Sequence, residues 1–151
     1  MIQDALLTFS SAQVITATAD STNIIDLSIA RDLGLGGAHE LYLQVSVGAV
    51  FATLTSLNVQ FLGAPDNGSG APGAYSLYAE SGVIPVANLT AGAQLLRIPV
   101  PAVPAGYVLP RFYKLTYTVA GSNATTGNVT AFITPDRQAN TAYAPGVTSF
   151  L

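Results

Sequence analysis

The sequence predicts an all-β chain: an antiparallel two-sheet β-sandwich, of the jelly-roll kind, with eight or nine strands and an extended C-terminal tail. Three observations lead there. Apolar and polar residues alternate at a spacing of two in one segment after another, as in strands that bury one face. Gly, Pro, Asn and Asp punctuate these segments in the way turns require. Helical periodicity is almost absent. Many short strands with long Gly/Pro connections favour a sandwich or jelly roll, and the lack of an internal repeat argues against propellers and solenoids. The 151 residues are the usual size of a single domain, and the pattern places the β-sandwich in residues 1–134 and an extended arm in 135–151.

The elements follow in chain order. Residues 6–18 read as two strands or one bent one. Ile25, Leu27 and Ile29 share one face of the next strand. Leu41, Leu43, Val45 and Val47 alternate with Tyr42, Gln44 and Ser46, which defines a half-buried strand. Leu57, Val59 and Phe61 repeat the pattern, as do Leu96, Ile98 and Val100. Tyr113, Leu115, Tyr117 and Val119 form another face, and Val129, Ala131 and Ile133 the last. Weaker strands are predicted over 75–79 and 83–87. Residues 33–38 and 63–74 are rich in Gly and read as exposed loops. Pro99, Pro101, Pro104 and Pro110 cannot donate ladder hydrogen bonds, so 99–110 is a sheet edge or an extended connection. After Thr134 the alternation stops, and the chain ends on apolar Phe150 and Leu151. That tail packs on its own domain or on a neighbour, with Pro135, Tyr143, Phe150 and Leu151 as its candidate interface residues.

Composition narrows the function. Only 9 % of the residues are charged, where a soluble domain carries about 25 %. Eleven Ser and fifteen Thr can wet a neutral surface, but burial against other subunits explains the deficit more simply than a free monomer does. A homo-oligomer is therefore expected. The net charge of −3 and the spread of Arg31, Arg97, Arg111, Lys114 and Arg137 provide no basic stripe for nucleic acid. No apolar run approaches the length of a membrane helix. Cysteine is absent, which excludes disulfides and thiol chemistry. Met1 precedes Ile2, Gln3 and Asp4 with no signal-peptide pattern, so synthesis in a cytoplasm is expected.

Candidate chemistry is sparse. His39 is the sole histidine; it cannot build a multi-histidine metal site and reads as structural or surface. No Ser lies in a nucleophile elbow. Asp4, Asp20, Asp26, Asp32, Asp66, Asp136, Glu40 and Glu80 fall in different predicted elements and read as solvated strand ends. The run from Asp66 to Gly70 resembles a calcium loop superficially, but lacks the carboxylate ladder and closing Glu. The glycines at 34, 36 and 37 lack the strand-to-helix context of a phosphate loop. Asn67, Asn88, Asn123 and Asn128 begin glycosylation triplets that a Thr-rich chain produces by chance. No catalytic, cofactor or metal residue is assigned, and no enzymatic activity is expected.

The stretch from Asp4 to Leu27 (DALLTFSSAQVITATADSTNIIDL), followed by Arg31-Asp-Leu-Gly34 and Gly36-Gly-Ala-His-Glu-Leu-Tyr-Leu43, resembles the capsid cement proteins of tailed bacteriophages typified by a Bordetella phage. The likeness is clearest over residues 4–47. It implies a jelly-roll sandwich on the outer surface of the virion, bound to the major capsid protein and reinforcing its lattice, with no catalytic or cofactor residues to carry over. It also implies assembly around symmetry axes, without choosing dimer from trimer. A carbohydrate-binding module or phage adhesin is the alternative and would show an exposed aromatic platform. A small β-scaffold hydrolase would need a converging His/carboxylate cluster.

Overall fold

The computed structural model describes residues 4–35 and 40–135. Within them lie eight strands: β1 (Thr8–Val14), β2 (Ala19–Asp20), β3 (Ile25–Asp26), β4 (Tyr42–Ala64), β5 (Ser76–Glu80), β6 (Ile84–Pro85), β7 (Gln94–Pro99) and β8 (Phe112–Thr134). Two short 3₁₀ turns, Ala5–Leu7 and Val86–Asn88, are the helical elements of this region. All pairings are antiparallel and join the strands into one hydrogen-bonded sheet along the path β1-β8-β4-β5. The all-β, antiparallel prediction therefore holds. One difference is instructive: the alternating segments at 41–47 and 57–61 are two parts of β4, and those at 113–119 and 129–133 are two parts of β8.

A straight 23-residue strand would run about 75 Å, roughly twice the diameter of a domain of this size. Both strands must bend, and they bend together. Between Val47 and Ser56 the β4–β8 register shifts four times, and each such irregularity kinks and twists the ladder. Positive φ values at Thr53, Gly121 and Gly127 mark the same corner. At Gly127 a Cβ would lie 2.2 Å from the Phe51 ring, so the glycine provides both the turn and the room for that ring. Asn128 fixes the other side, its Oδ1 accepting from the Ala49 N–H at 2.9 Å.

The corner divides the sheet into two halves. In one, residues 42–47 of β4 pair with 129–134 of β8, with β7 and β1 at the flanks. In the other, 57–64 of β4 pair with 112–119 of β8, flanked by β2 and β3 on one side and β5 and β6 on the other. The apolar faces of both halves enter one core: Leu43, Val45, Val47, Val129, Ala131 and Ile133 from the first, Leu57, Val59, Phe61, Tyr113, Leu115 and Tyr117 from the second. Contacts cross between them. Phe9 of β1 meets Phe61 edge-on at 6.1 Å, and Ser10 Oγ lies 2.8 Å from the Tyr117 hydroxyl in a buried pair. Ser10 donates its own proton to Gln13 Oε1 at 2.6 Å, so Tyr117 is the donor to Ser10.

Pro99 ends β7, and residues 100–110, with Pro101, Pro104 and Pro110, leave the sheet as the expected connection. Val100 still anchors it, buried and donating to Leu41 O at 2.7 Å.

Phe61 is fully buried and touches three aromatic rings. Phe61→Ala is expected to cost about 3–5 kcal/mol through lost burial and a residual cavity. Tyr117→Phe removes one donor while Ser10 keeps its bond to Gln13, so about 1 kcal/mol is expected. Denaturant unfolding at equilibrium checks both, with a lowered midpoint and an unchanged slope as the expected result.

Candidate interaction surface

Two basic residues of the described surface, Arg111 and Lys114, are paired with three aspartates. Arg111, the residue before β8, donates through Nε to Asp26 Oδ1 at 2.7 Å and through Nη2 to Asp26 Oδ2 at 2.8 Å, a fork-to-fork pair. Its Nη1 donates to Asp66 Oδ2. One guanidinium thus ties β3, β8 and the loop after β4 together. Three residues on, Lys114 Nζ donates to Asp20 Oδ2 at 2.7 Å and sits 4.4 Å over the Tyr75 ring. Thr116 donates to the second oxygen of the same carboxylate at 2.6 Å.

The carboxyl groups respond accordingly. Hydrogen bonds from Arg111 hold Asp26 below its ordinary range. Asp66 is lowered first by the Gly70 and Gly68 backbone N–H groups and then by Arg111. For Asp20, partial burial raises the value, but the bonds from Lys114 and Thr116 outweigh it and the net direction is down. Asp20 and Asp26 are the exposed ends of β2 and β3, as the sequence reading has them, and they serve there as structural acceptors. The calcium-like run is occupied in the same way: Asp66 Oδ1 accepts from Gly68 N at 2.7 Å and Gly70 N at 3.0 Å. Asp32 joins two loops, accepting from Gly34 N and Val103 N at 2.9 Å each. Gly34 lets those loops touch, since a Cβ there would lie 2.2 Å from Ala102 N.

Above the Arg111 node the surface turns apolar. Tyr107, Val108 and Leu109 are 46 %, 69 % and 47 % exposed in the connection before β8, and Leu77 of β5 is 40 % exposed. Gly63, Pro65, Ala74, Tyr78, Tyr107 and Val108 are among the residues lining a cleft of about 320 Å³. Its wall is rooted in the core. The Tyr107 ring meets Tyr78 at 5.7 Å, Tyr78 meets Tyr113 at 6.1 Å, and Tyr113 stacks on Phe61 at 5.1 Å with the planes 1° apart. Gly63 is required beneath it, because a Cβ would lie 2.6 Å from the Tyr78 ring. A second cleft, of about 460 Å³, is lined by Ala5, Thr8, Phe9, Ser11, Thr22 and Asn23. Exposed Leu6 and Ile24 adjoin these lining residues in sequence.

Of the candidate interface residues from the tail, Pro135 lies exposed immediately after β8. Tyr143, Phe150 and Leu151 lie outside the described residues, as does His39. The patch at 107–109 was not among the sequence candidates. Its signal is three apolar residues without alternation between Gly106 and Pro110, where no strand would bury them. The Arg111 node had no such signal, because Asp26, Asp66 and Arg111 are far apart in the chain.

The Arg111 node sets a pH dependence. Asp26 and Asp66 titrate below the ordinary carboxylate range in the folded state, so their contribution is fully present above about pH 4 and is lost as pH falls through the lowered values. The melting temperature is expected to hold from about pH 7 to about pH 4 and drop below that, and Arg111→Met is expected to reduce the size of the drop. Thermal melts across that range check both.

A family model described as Bbp16 matches residues 9–133 of the chain. No curated protein matches it.

Proposed function

The chain belongs to the Bbp16 family, and from that premise we propose that it is a structural virion protein, a cement protein that binds the outer surface of a phage capsid and stabilises the lattice of major capsid protein. The family's name suggests a Bordetella phage protein, which accords with the resemblance carried by residues 4–47. In this reading the two halves of the bent sheet are the layers of a jelly-roll sandwich. Contacts such as Phe9 to Phe61 and Tyr117 to Ser10 are its interlayer contacts.

The observation that carries the proposal is the exposed Tyr107-Val108-Leu109 patch, whose Tyr107 ring packs edge-on against Tyr78, on a surface whose Arg111 and Lys114 are already paired with aspartates. Such a surface recognises a partner through apolar side chains, hydroxyls and backbone. Fully burying Val108 or Leu109 is worth about 1.5–3 kcal/mol each. Because the Tyr107 ring already packs on Tyr78, less is lost to ordering that side chain on binding. A ligand that binds only the assembled lattice stabilises it by mass action, and many repeated contacts act together. The protein acts as a homo-oligomer, without enzymatic activity or cofactor.

A carbohydrate-binding module would need an open aromatic platform. Among the described residues Tyr107 is the aromatic counted with the exposed large apolar side chains, and its neighbour Tyr78 meets it at 61°. Two rings at that angle do not form a flat surface for a sugar.

Purified particles washed in about 0.1 M and about 1 M salt test the mechanism, since screening falls from about 10 Å to about 3 Å between them. The chain is expected to stay bound at both. Val108→Asp combined with Leu109→Asp is expected to release it while leaving the isolated protein's β circular dichroism unchanged. Release of the unsubstituted chain at high salt from intact particles would overturn neutral-contact attachment, and absence from particles would overturn the cement assignment.

A further inference from the structure

Asn67 is the one asparagine of the sequence that is followed by glycine; Asn23, Asn58, Asn88, Asn123, Asn128 and Asn140 precede Ile, Val, Leu, Ala, Val and Thr. A side chain on the following residue hinders the approach of its backbone nitrogen to the Asn carboxamide, and glycine removes that hindrance. Gly68 has open space around it, since a Cβ there would meet nothing within 4 Å. Asn67 and Gly68 are both exposed, so water and hydroxide reach them.

The loop holds this pair in a defined shape. Its ends are tied, with Gly73 N donating to Pro65 O at 2.8 Å and Asn67 N to Ala71 O at 2.9 Å. Inside it, Asn67 Oδ1 accepts from Ser69 N at 2.9 Å and from Ser69 Oγ at 2.7 Å. The bond from Ser69 N reaches across Gly68 and closes a ring that contains both Asn67 Cγ and Gly68 N, which keeps the two near one another. Both donors draw electron density from the carboxamide carbonyl, and both bonds strengthen as Oδ1 gains negative charge. Asp66 Oδ1 accepts from Gly68 N at 2.7 Å. That bond lies in the plane of the peptide, whereas attack on Cγ uses the face of the nitrogen. It also opposes loss of the proton, so the reaction needs base. Elsewhere the carboxamides are engaged differently: Asn128 Oδ1 accepts from Ala49 N, and Asn23 and Asn58 give Nδ2 to Thr8 O and Glu80 Oε2.

We propose that Asn67 is a site of spontaneous modification, where the folded loop converts the side-chain amide to aspartate and isoaspartate through a cyclic imide. Hydroxide removes the Gly68 N–H proton, Gly68 N bonds to Asn67 Cγ, and the Cγ–Nδ2 bond breaks. The departing nitrogen takes a proton from water and leaves as ammonia, which restores the hydroxide. A second water opens the imide at either carbonyl. Each conversion adds one negative charge to a chain of net charge −3. The charge enters a loop that begins and ends at Pro65 and Ala74, which line the cleft beside Tyr107. The isoaspartate product also lengthens the backbone within the turn that Asp66 holds. The surface next to the cleft therefore changes with the age of the molecule, and this holds whatever partner the cleft meets.

The full-length protein is incubated in its folded state at neutral and at mildly alkaline pH. Peptide mass spectrometry follows the change from amide to acid, and methylation by protein isoaspartate methyltransferase reports isoaspartate. Conversion is expected at Asn67 ahead of every other asparagine, at a rate that rises in proportion to hydroxide. Ser69→Ala removes one of the two donors to Oδ1 at an exposed site. It is expected to slow conversion of the folded protein about tenfold, short of the roughly 10²–10³-fold loss at a buried oxyanion donor, and to leave the rate in urea unchanged. An Asn67 that stays intact in the folded protein while the urea-unfolded chain converts would overturn the proposal. So would a folded Ser69→Ala protein that converts as fast as the unsubstituted one.

Discussion

Everything in this fold depends on two strands that are too long to stay straight. β4 and β8, 23 residues each, pair with one another over nearly their whole length and present an apolar face that neither end can leave in water. A flat ribbon of that length would expose the face along all of it. Register shifts in both strands at the same place interrupt their ladder, and the apolar residues on either side of the shifts belong to one core. The corner has a conformational cost, with Thr53 in the left-handed region at φ 73°. Its hydroxyl offsets part of this by accepting from Thr125 N at 3.1 Å and lying 2.6 Å from Asn123 O.

The six remaining strands are additions to this frame. Each of β1, β2, β3, β5, β6 and β7 pairs with β4 or β8. β2, β3 and β6 are only two residues long, too short to hold position by ladder bonds. For β2 and β3 side chains do that instead: Asp20 is held by Lys114 and Thr116 of β8, and Asp26 by Arg111 just before β8. Arg111 and Lys114, two of the five basic residues of the sequence, are engaged in this way. A sequence with so little charge could have distributed it for solubility, and the paired arrangement instead leaves a surface with a weak field and its apolar residues uncovered.

Much of the architecture was legible in the sequence, because alternation at a spacing of two is a direct print of one-sided burial. The core residues at 43, 45, 47, 57, 59, 61, 113, 115, 117, 129, 131 and 133 were all marked by it. What alternation does not report is continuity. Residues 48–56, VGAVFATLTS from Val47 on, look like a break because Gly48 and the repeated register shifts scramble the period, yet the ladder runs through them. The short strand β2 was illegible for a related reason, since two residues cannot display a period, and the strand read over Ile25, Leu27 and Ile29 is shorter in the fold, where β3 ends at Asp26 and Ser28 takes φ 66°. Outward burial was equally hidden. Gln44 and Ser46 have the sequence of a solvated face, and only their exposure in the fold separates them from Asn58 and Gln60.

That asymmetry between the two outward faces bears on how the molecule meets other proteins. An outward face that is already buried within one chain offers a neighbour little apolar area, whatever its polarity. The patch at 107–109 is the opposite case. Its side chains are exposed, while the rings beneath it, Tyr78, Tyr113 and Phe61, are fixed by contacts that reach the centre of the core. A partner landing there meets a surface that is already ordered, so the apolar area it covers translates into affinity with little loss to rearrangement. Stiffness of this kind also transmits load: a contact at Tyr107 is braced through stacked rings against both long strands. For a protein whose proposed role is to hold a lattice together, bracing the contact against β4 and β8 joins the binding surface to the most extensively paired part of the fold.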